Sequence, residues 1–196
     1  MSRCAAAISP RRCVADAGLY VPLAEGDLRL DPLTAGDREA LRRACAQDPA
    51  IWDIYPHNYL DDEFDGQFEA MLAGGPARRI YAVRQGDEVV GMTGWLAHNA
   101  PGWSIEIGNT YIVPRLRGTG FNRRMKQLML DHAFACGLER VCLKVDARNQ
   151  RSQAAIRKLG AQPEGVHRRD RVTWTGHVRD TAYFSILRDE WEARRA

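Results

Sequence analysis

The longest amphipathic stretch of the chain begins at Thr119, where Phe121, Met125, Leu128, Met129, His132 and Cys136 recur at steps of three and four until Gly137. That period predicts a helix with one apolar stripe, and a glycine just past the last periodic residue is a stop signal. Shorter helices are predicted over Asp37 to Cys45 behind Thr34, over Asp62 to Leu72 ahead of Gly74-Gly75-Pro76, and over Gln150 to Leu159 ahead of Gly160. Runs rich in β-branched and aromatic residues predict strands at Leu28 to Leu33, Arg79 to Arg84, Glu88 to Leu96, Ser104 to Val113, Val141 to Val145, Ala161 to Arg168 and Asp180 to Leu187. Gln85-Gly86-Asp87 joins two of these as a hairpin, and Pro114 ends another. The strand, long helix and strand between residues 104 and 145 fit a right-handed crossover with parallel strands. The fold class is therefore α/β: a mixed, mostly antiparallel sheet of six to seven strands, flanked by about four helices, around a central parallel βαβ unit.

Composition adds boundaries. With 196 residues, 45% hydrophobic and 27% charged, the chain falls in the range of an ordinary globular domain. One domain is expected over residues 20–196, behind a flexible leader of residues 1–19 whose apolar patch is too short for a secretory signal. No apolar run approaches the roughly 18 to 20 residues that cross a bilayer, so no membrane partner is expected. The five cysteines form no Cys-x-x-Cys pair and have no matching histidine cluster. Reduced thiols in the cytoplasm are the simplest account, and no metal site is expected. The net charge of +3 hides an asymmetry: residues 1–110 hold 10 basic and 16 acidic side chains, residues 111–196 hold 18 and 9. A cationic half suits an anionic partner, with an Arg-rich solvated surface as the plainer alternative.

The most informative local pattern lies between Val113 and the long helix, where Arg115-Leu116-Arg117-Gly118-Thr119-Gly120 makes a tight, glycine-bearing helix entry. A helix start offers unpaired N–H groups and the positive end of the macrodipole, and glycine lets a phosphate approach the backbone. Two glycines alone would as often serve only a turn. Here Arg115, Arg117, Arg123, Arg124 and Lys126 crowd residues 114–130 with no acid among them, which favours an anion. Gly-x-x-x-x-Gly-Lys-Ser/Thr is absent from the chain and Gly-x-Gly-x-x-Gly from this turn, which disfavours ATP and NAD.

The order of strand, Arg-x-x-Gly-x-Gly, long helix, strand, Asn149-x-x-Ser152 and helix resembles the GNAT superfamily of N-acetyltransferases, and especially its branch that acetylates the amino termini of ribosomal proteins. The resemblance covers roughly Leu28 to Leu187 and is sharpest from Ile107 to Gly160. It implies a GNAT fold and acetyl-CoA as cofactor, with CoA as product. By position, Arg115, Leu116, Arg117, Gly118, Thr119 and Gly120 would hold the pyrophosphate, with Phe121 and Asn122 at the mouth of the helix. The backbone of Ile112 and Val113 would pair with the pantetheine arm, and Asn149 and Ser152 would stand beside it. Asn149 also reads as a helix cap and Asn122 as a surface residue.

Acetyl transfer to an amine needs a proton acceptor and a donor for the departing sulfur. Many family members carry a tyrosine four positions beyond the serine of Asn-x-x-Ser, but here that position is Ile156, which leaves Ser152 as the candidate acid. Glu106, two residues before Gly108, and Glu164, after Gly160, are rival bases. The acceptor is an amine, either a protein N-terminus or a small molecule such as an antibiotic, an amino acid or a polyamine, and the acidic cluster Asp61-Asp62-Glu63-Phe64-Asp65 is read as steering a cationic one. Trp52, Tyr55, His57 and Tyr59 could line an acceptor pocket, but aromatic residues between helices are more often simple packing, and no role is assigned to them. A non-catalytic acyl-CoA sensor is the alternative from another class. Nucleic acid is not expected as a partner, because no recognised module accompanies the charge. Oligomeric state stays open, a homodimer included.

Overall fold

The computed structural model describes residues 16–97 and 103–195. In chain order the elements are α1 (Asp16–Leu19), β1 (Leu23–Glu25), β2 (Leu28–Pro32), α2 (Arg38–Cys45), α3 (Asp61–Leu72), β3 (Arg78–Gln85), β4 (Glu88–Ala97), β5 (Ser104–Ile112), α4 (Phe121–Ala135), β6 (Arg140–Asp146), α5 (Gln150–Leu159), β7 (Gln162–Val172), β8 (Val178–Leu187) and α6 (Arg188–Arg195). The strands form one sheet in the order β1-β2-β3-β4-β5-β6-β8-β7, antiparallel except for β5 beside β6. The α/β class and the central βαβ unit of the sequence reading are observed, but the sheet has eight strands rather than six to seven. The added strand, β1, has three residues with only Leu23 buried, too short to display a period. The added C-terminal helix α6 is almost entirely charged. Its Trp191 supplies the one buried side chain, and the indole donates to Asp131 Oδ1 at 2.8 Å.

The leader reading falls mostly on residues 1–15, outside the described residues. Its last residue packs on the domain: Leu19 is buried, and His132 Nε2 on α4 lies 3.1 Å from Gly18 O and 3.2 Å from Leu19 O. Among the described residues no helix is long and apolar enough to cross a membrane.

Side-chain alternation along β5 shows how the layers stack. Tyr111 donates to Ala44 O of α2 at 2.8 Å, while Thr110 Oγ1, on the other face, accepts from Lys126 Nζ of α4 at 2.5 Å. The two helices therefore cover opposite faces of the strand. Trp52, Tyr81, Met92, Trp95, Met125 and Met129 are fully enclosed among the apolar side chains of these layers.

The functional geometry depends on an irregularity. Parallel pairing of β5 with β6 lasts three residues, Ser104 with Arg140, Ile105 with Val141 and Glu106 with Cys142, after which the strands part. β6 continues along β8 instead, from Arg140 opposite Leu187 to Asp146 opposite Thr181. At the parting β5 carries a bulge: Asn109 takes φ +51°, and the register against β4 shifts between Met92 and Gly94. Asparagine tolerates this left-handed conformation better than most residues, and a bulge bends its strand. The side chain is also anchored, since Asn109 Oδ1 accepts from Tyr59 Oη at 3.0 Å and from Arg78 Nη2 at 2.8 Å.

Candidate active site

The divergence of β5 and β6 opens a cavity of ≈ 590 Å³. Its walls are Glu106 to Ile112 of β5, Leu143 to Asp146 of β6, the first turns of α4 and α5, much of the segment 51–59, Arg78 of β3, and Arg171 and Arg179 from the β7–β8 hairpin. The hairpin is held to that segment by Trp174, whose N–H donates to Pro56 O at 3.2 Å and whose indole donates to Trp52 O at 2.8 Å.

At one end lies the glycine-bearing turn. Arg124 N–H is the first in α4 to close onto the chain behind it, on Gly120 O at 3.0 Å. The amides of Gly118, Thr119, Gly120, Asn122 and Arg123 have no protein partner among the described residues. Gly118 and Gly120 take φ +81° and +91°, and a Cβ at either would meet nothing within 4 Å, so no protein atom crowds the turn there. Two buried polar atoms nearby are also unpartnered, Asn122 Oδ1 and Arg117 Nη2. The remaining residues of the turn do other work. Arg115 turns away to Glu88 at 2.6 Å and Gln85 at 2.8 Å, Leu116 and Phe121 are buried, and Thr119 Oγ1 donates to Leu116 O at 2.8 Å. Arg117 pairs with Asp48 and donates from Nε to Ile112 O at 2.8 Å. Of the two strand residues named for the pantetheine arm, Ile112 lines the cavity, but Val113 N–H is engaged by Val90 O at 2.9 Å.

The α5 entrance forms the opposite wall. Asn149 Oδ1 caps the helix by accepting Ser152 N–H at 2.9 Å. Ser152 Oγ has no partner among the described residues, and Ile156 sits one turn further along the same cavity.

The two candidate bases separate clearly. Glu106 is buried in the cavity wall, paired to Lys144 Nζ at 2.7 Å. Burial works against the Lys144 charge, but the Glu106 carboxylate outweighs it and holds that amine above its ordinary range. A Cβ at Gly108 would come within 3.1 Å of Glu106 Oε1, so the glycine leaves room for the carboxylate. Glu164 lies outside the cavity lining, in a fork with Arg140 and a hydrogen bond from Ser185 Oγ at 2.8 Å. The acidic cluster is also elsewhere: Asp65 bonds Arg38 and Arg42 of α2 at 2.7 Å each, and none of its carboxylates lines the cavity.

Several lining residues received no site role in the sequence reading. Tyr55 donates to Thr110 O at 2.5 Å across the cavity, and burial pushes its hydroxyl pKa up. Lys126 lies one turn beyond Asn122 on the same face of α4 and, among the described residues, is bonded only to the hydroxyls of Thr110 and Thr93. Burial pushes its amine down to about 7. Asp146 is buried with its carboxyl held low: desolvation opposes the charge, but bonds from Arg148 prevail. Helical spacing from Asn122 could have placed Lys126 in the site, and the aromatic run holding Tyr55, His57 and Tyr59, weighed above as a possible pocket wall, does line the cavity; nothing in the local sequence points Arg78 there. Among the described residues no His, Cys, Asp and Glu cluster could hold a metal ion.

Comparison with known proteins matches this geometry. Residues 27–162 match the family model described as an acetyltransferase (GNAT) domain. The chain is 26% identical over 136 residues to an uncharacterized N-acetyltransferase of Mycobacterium tuberculosis, covering 69% of this chain and 85% of that one. A crystal structure of a probable acetyltransferase of the GNAT family from Chromobacterium violaceum superposes with TM-score 0.87 at 28% identity, covering 98% of both chains. The ribosomal-protein-S5-alanine acetyltransferase of Vibrio fischeri shares the fold, with TM-score 0.70 at 15% identity over 87% of this chain and 98% of that one. A sheet parted after three parallel pairs, a helix entry with open amides and a matching family model over most of the chain lead to one assignment: the chain belongs to the GNAT family and is an acetyl-CoA-dependent N-acetyltransferase.

Proposed function

We propose that the turn and the parted strands hold acetyl-CoA, and that the acetyl group passes directly to a primary amine beside Glu106. The observation that carries this reading is one cavity with unpartnered amides at its α4 end and a buried carboxylate in its β5 wall. Acetyl-CoA, when bound, supplies the acetyl group as a thioester on a phosphate-bearing handle. The residues present fit such a group: the open amides of Gly118 to Gly120 suit the phosphates, and Asn122 Oδ1 and Arg117 Nη2 await partners. Ile112, rather than Val113, offers backbone to the arm, with Asn149 and Ser152 across from it.

Transfer to nitrogen requires that the amine be neutral, and Glu106 is placed to take its proton. Glu164 is the weaker candidate, since Arg140 and Ser185 hold it away from the cavity. The free Ser152 hydroxyl is the donor for the departing sulfur, where Ile156 offers none. An α-amino group, with a reference pKa near 8, needs less help than a lysine amine near 10.4. Reduced thiols at Cys45, Cys136 and Cys142 suit a cytoplasmic setting.

Titration calorimetry with acetyl-CoA tests the reading. The expected result is a one-to-one heat that Gly118→Val or Gly120→Val weakens by about tenfold or more, since a branched side chain resists positive φ and fills the approach to the amides. Absence of heat with the wild-type chain would overturn it.

A further inference from the structure

The acceptor end of the cavity carries positive charge that the protein does not balance. Arg78 lines it, and its Nη2 donates to Tyr59 Oη at 2.9 Å and Asn109 Oδ1 at 2.8 Å, both neutral oxygens. Its other nitrogens have no carboxylate partner among the described residues. Arg151, in the first turn of α5, also lines the cavity without a carboxylate. Arg171 and Arg179 reach in from the hairpin, and Lys144 from β6. Against these five cations the wall presents two carboxylates, Glu106 and Asp146. Glu106 is engaged by Lys144, and Asp146 is gripped by Arg148 at 2.8 Å with Arg179 more distant at 3.9 Å. Outside the lining, Asp170 answers Arg171 at 3.0 Å.

This surplus is separate from the phosphate turn, where Arg115, Arg117 and Arg124 are each matched to an acid, Glu88, Asp48 and Asp27, while Arg123 and Lys126 have no acid partner among the described residues. His57, also in the wall, reports the sign of the local field. Its pKa falls through burial first and then through Arg78 and Arg171, with no acid opposing. The ring stays uncharged near neutral pH and leaves the guanidinium groups to set the potential.

We infer that the acceptor is a primary amine that also carries an anionic group, a carboxylate or a phosphate, which Arg78 receives while the amine reaches Glu106. A guanidinium fixed through one nitrogen is oriented before the ligand arrives, and its remaining donors match the paired oxygens of either anion. A polycationic acceptor would meet like charge on most of the wall. This inference rests on the reading of the site as an amine acetyltransferase and narrows its substrate class.

The test compares β-alanine, 2-aminoethyl phosphate, β-alaninamide and spermidine as acceptors by release of free thiol from acetyl-CoA. The amide's amine is easier to deprotonate than that of the acid, so a preference for the acid cannot arise from basicity. The expected result is a kcat/KM at least about tenfold higher for an anionic acceptor than for the amide, in line with one charged hydrogen-bonded contact, with spermidine poorest. The two anionic arms separate carboxylate from phosphate. Arg78→Gln, which keeps a donor for Tyr59 and Asn109, should raise KM for the anionic acceptor with the Kd of acetyl-CoA unchanged. Arg171→Gln serves if that variant fails to give a cooperative melt. Equal or reversed preference overturns the inference. If no acceptor turns over, calorimetric titration of β-alanine and 2-aminoethyl phosphate into the protein, with and without CoA, decides: heat abolished by the arginine variant supports it, and no heat refutes it. Failure of acetyl-CoA itself to bind strikes the function reading instead.

Discussion

Lys126 places an ionisable amine where no carboxylate compensates it, and the consequence is measurable. Its folded pKa of about 7 lies below the ordinary 10.5. Between those values the unfolded chain holds a proton that the folded one does not, so this residue's contribution makes stability rise with pH across that window. Below pH 7 the cost of charging the buried amine is fully present. Lys126→Met should therefore lose this rising component, seen as a difference between wild-type and variant melting temperatures that shrinks from pH 7 to pH 10; a constant difference would contradict the assignment. The two glutamates predict opposite kinetics. Glu106→Gln should lower kcat by about 10²-fold or more, the usual range for a general base, whereas Glu164→Gln should leave kcat nearly intact. Comparable losses in both would remove Glu106 from its role. At this scale the sequence was partly legible. The family resemblance pointed to Asn149, Ser152 and Glu106, and all three line the cavity. Arg78 was not legible, because it reaches the cavity through Asn109 from 31 residues away in sequence, and Tyr55 read first as packing because its partner Thr110 lies 55 residues away.

Among the elements, the β7–β8 hairpin has the most direct bearing on turnover. Most of β7 is exposed on both faces, yet the hairpin tip is pinned to the segment before α3 through Trp174. Trp174→Ala removes one indole hydrogen bond at a partly exposed site, worth about 1 kcal/mol, and loosens the side of the cavity that carries Arg171 and Arg179. The expected result is a raised KM for the acceptor with acetyl-CoA affinity unchanged, measured by steady-state thiol release and calorimetry; loss of acetyl-CoA affinity would show instead that the contact supports the cofactor end. Most elements could be read directly. The periodic stripe gave α4 within two residues at each end, and Gln150 to Leu159 matches α5. The predicted β7 and β8 stopped short of the hairpin tip, because Arg169 with φ +52° and the register shift between His167 and Arg171 break the alternation. The acidic run 61–65 read as a steering patch because charge is visible in sequence, while its partners Arg38 and Arg42 on a neighbouring helix are not.

Across the whole molecule, the mixed sheet and its βαβ centre followed from pattern and connection rules, but the gap within it did not. A strand that parts from its neighbour after three pairs looks, residue by residue, like one that does not; only the glycine spacing and the asparagine at 109 hinted at a bend. The charge asymmetry was legible in kind but not in detail, since three cations of the turn are matched to acids while Arg78, Arg151, Arg171 and Arg179 line the cavity. The parted strands also have a mechanical consequence. β1 to β5 form one leaf and β6, β8 and β7 another, and among the described residues the backbone stitches them along the sheet only around residues 103–106. On the proposed reading a donor lodged in the seam would touch both leaves at once and serve as the missing rung of the ladder, and each departure of product would leave the sheet briefly unlaced.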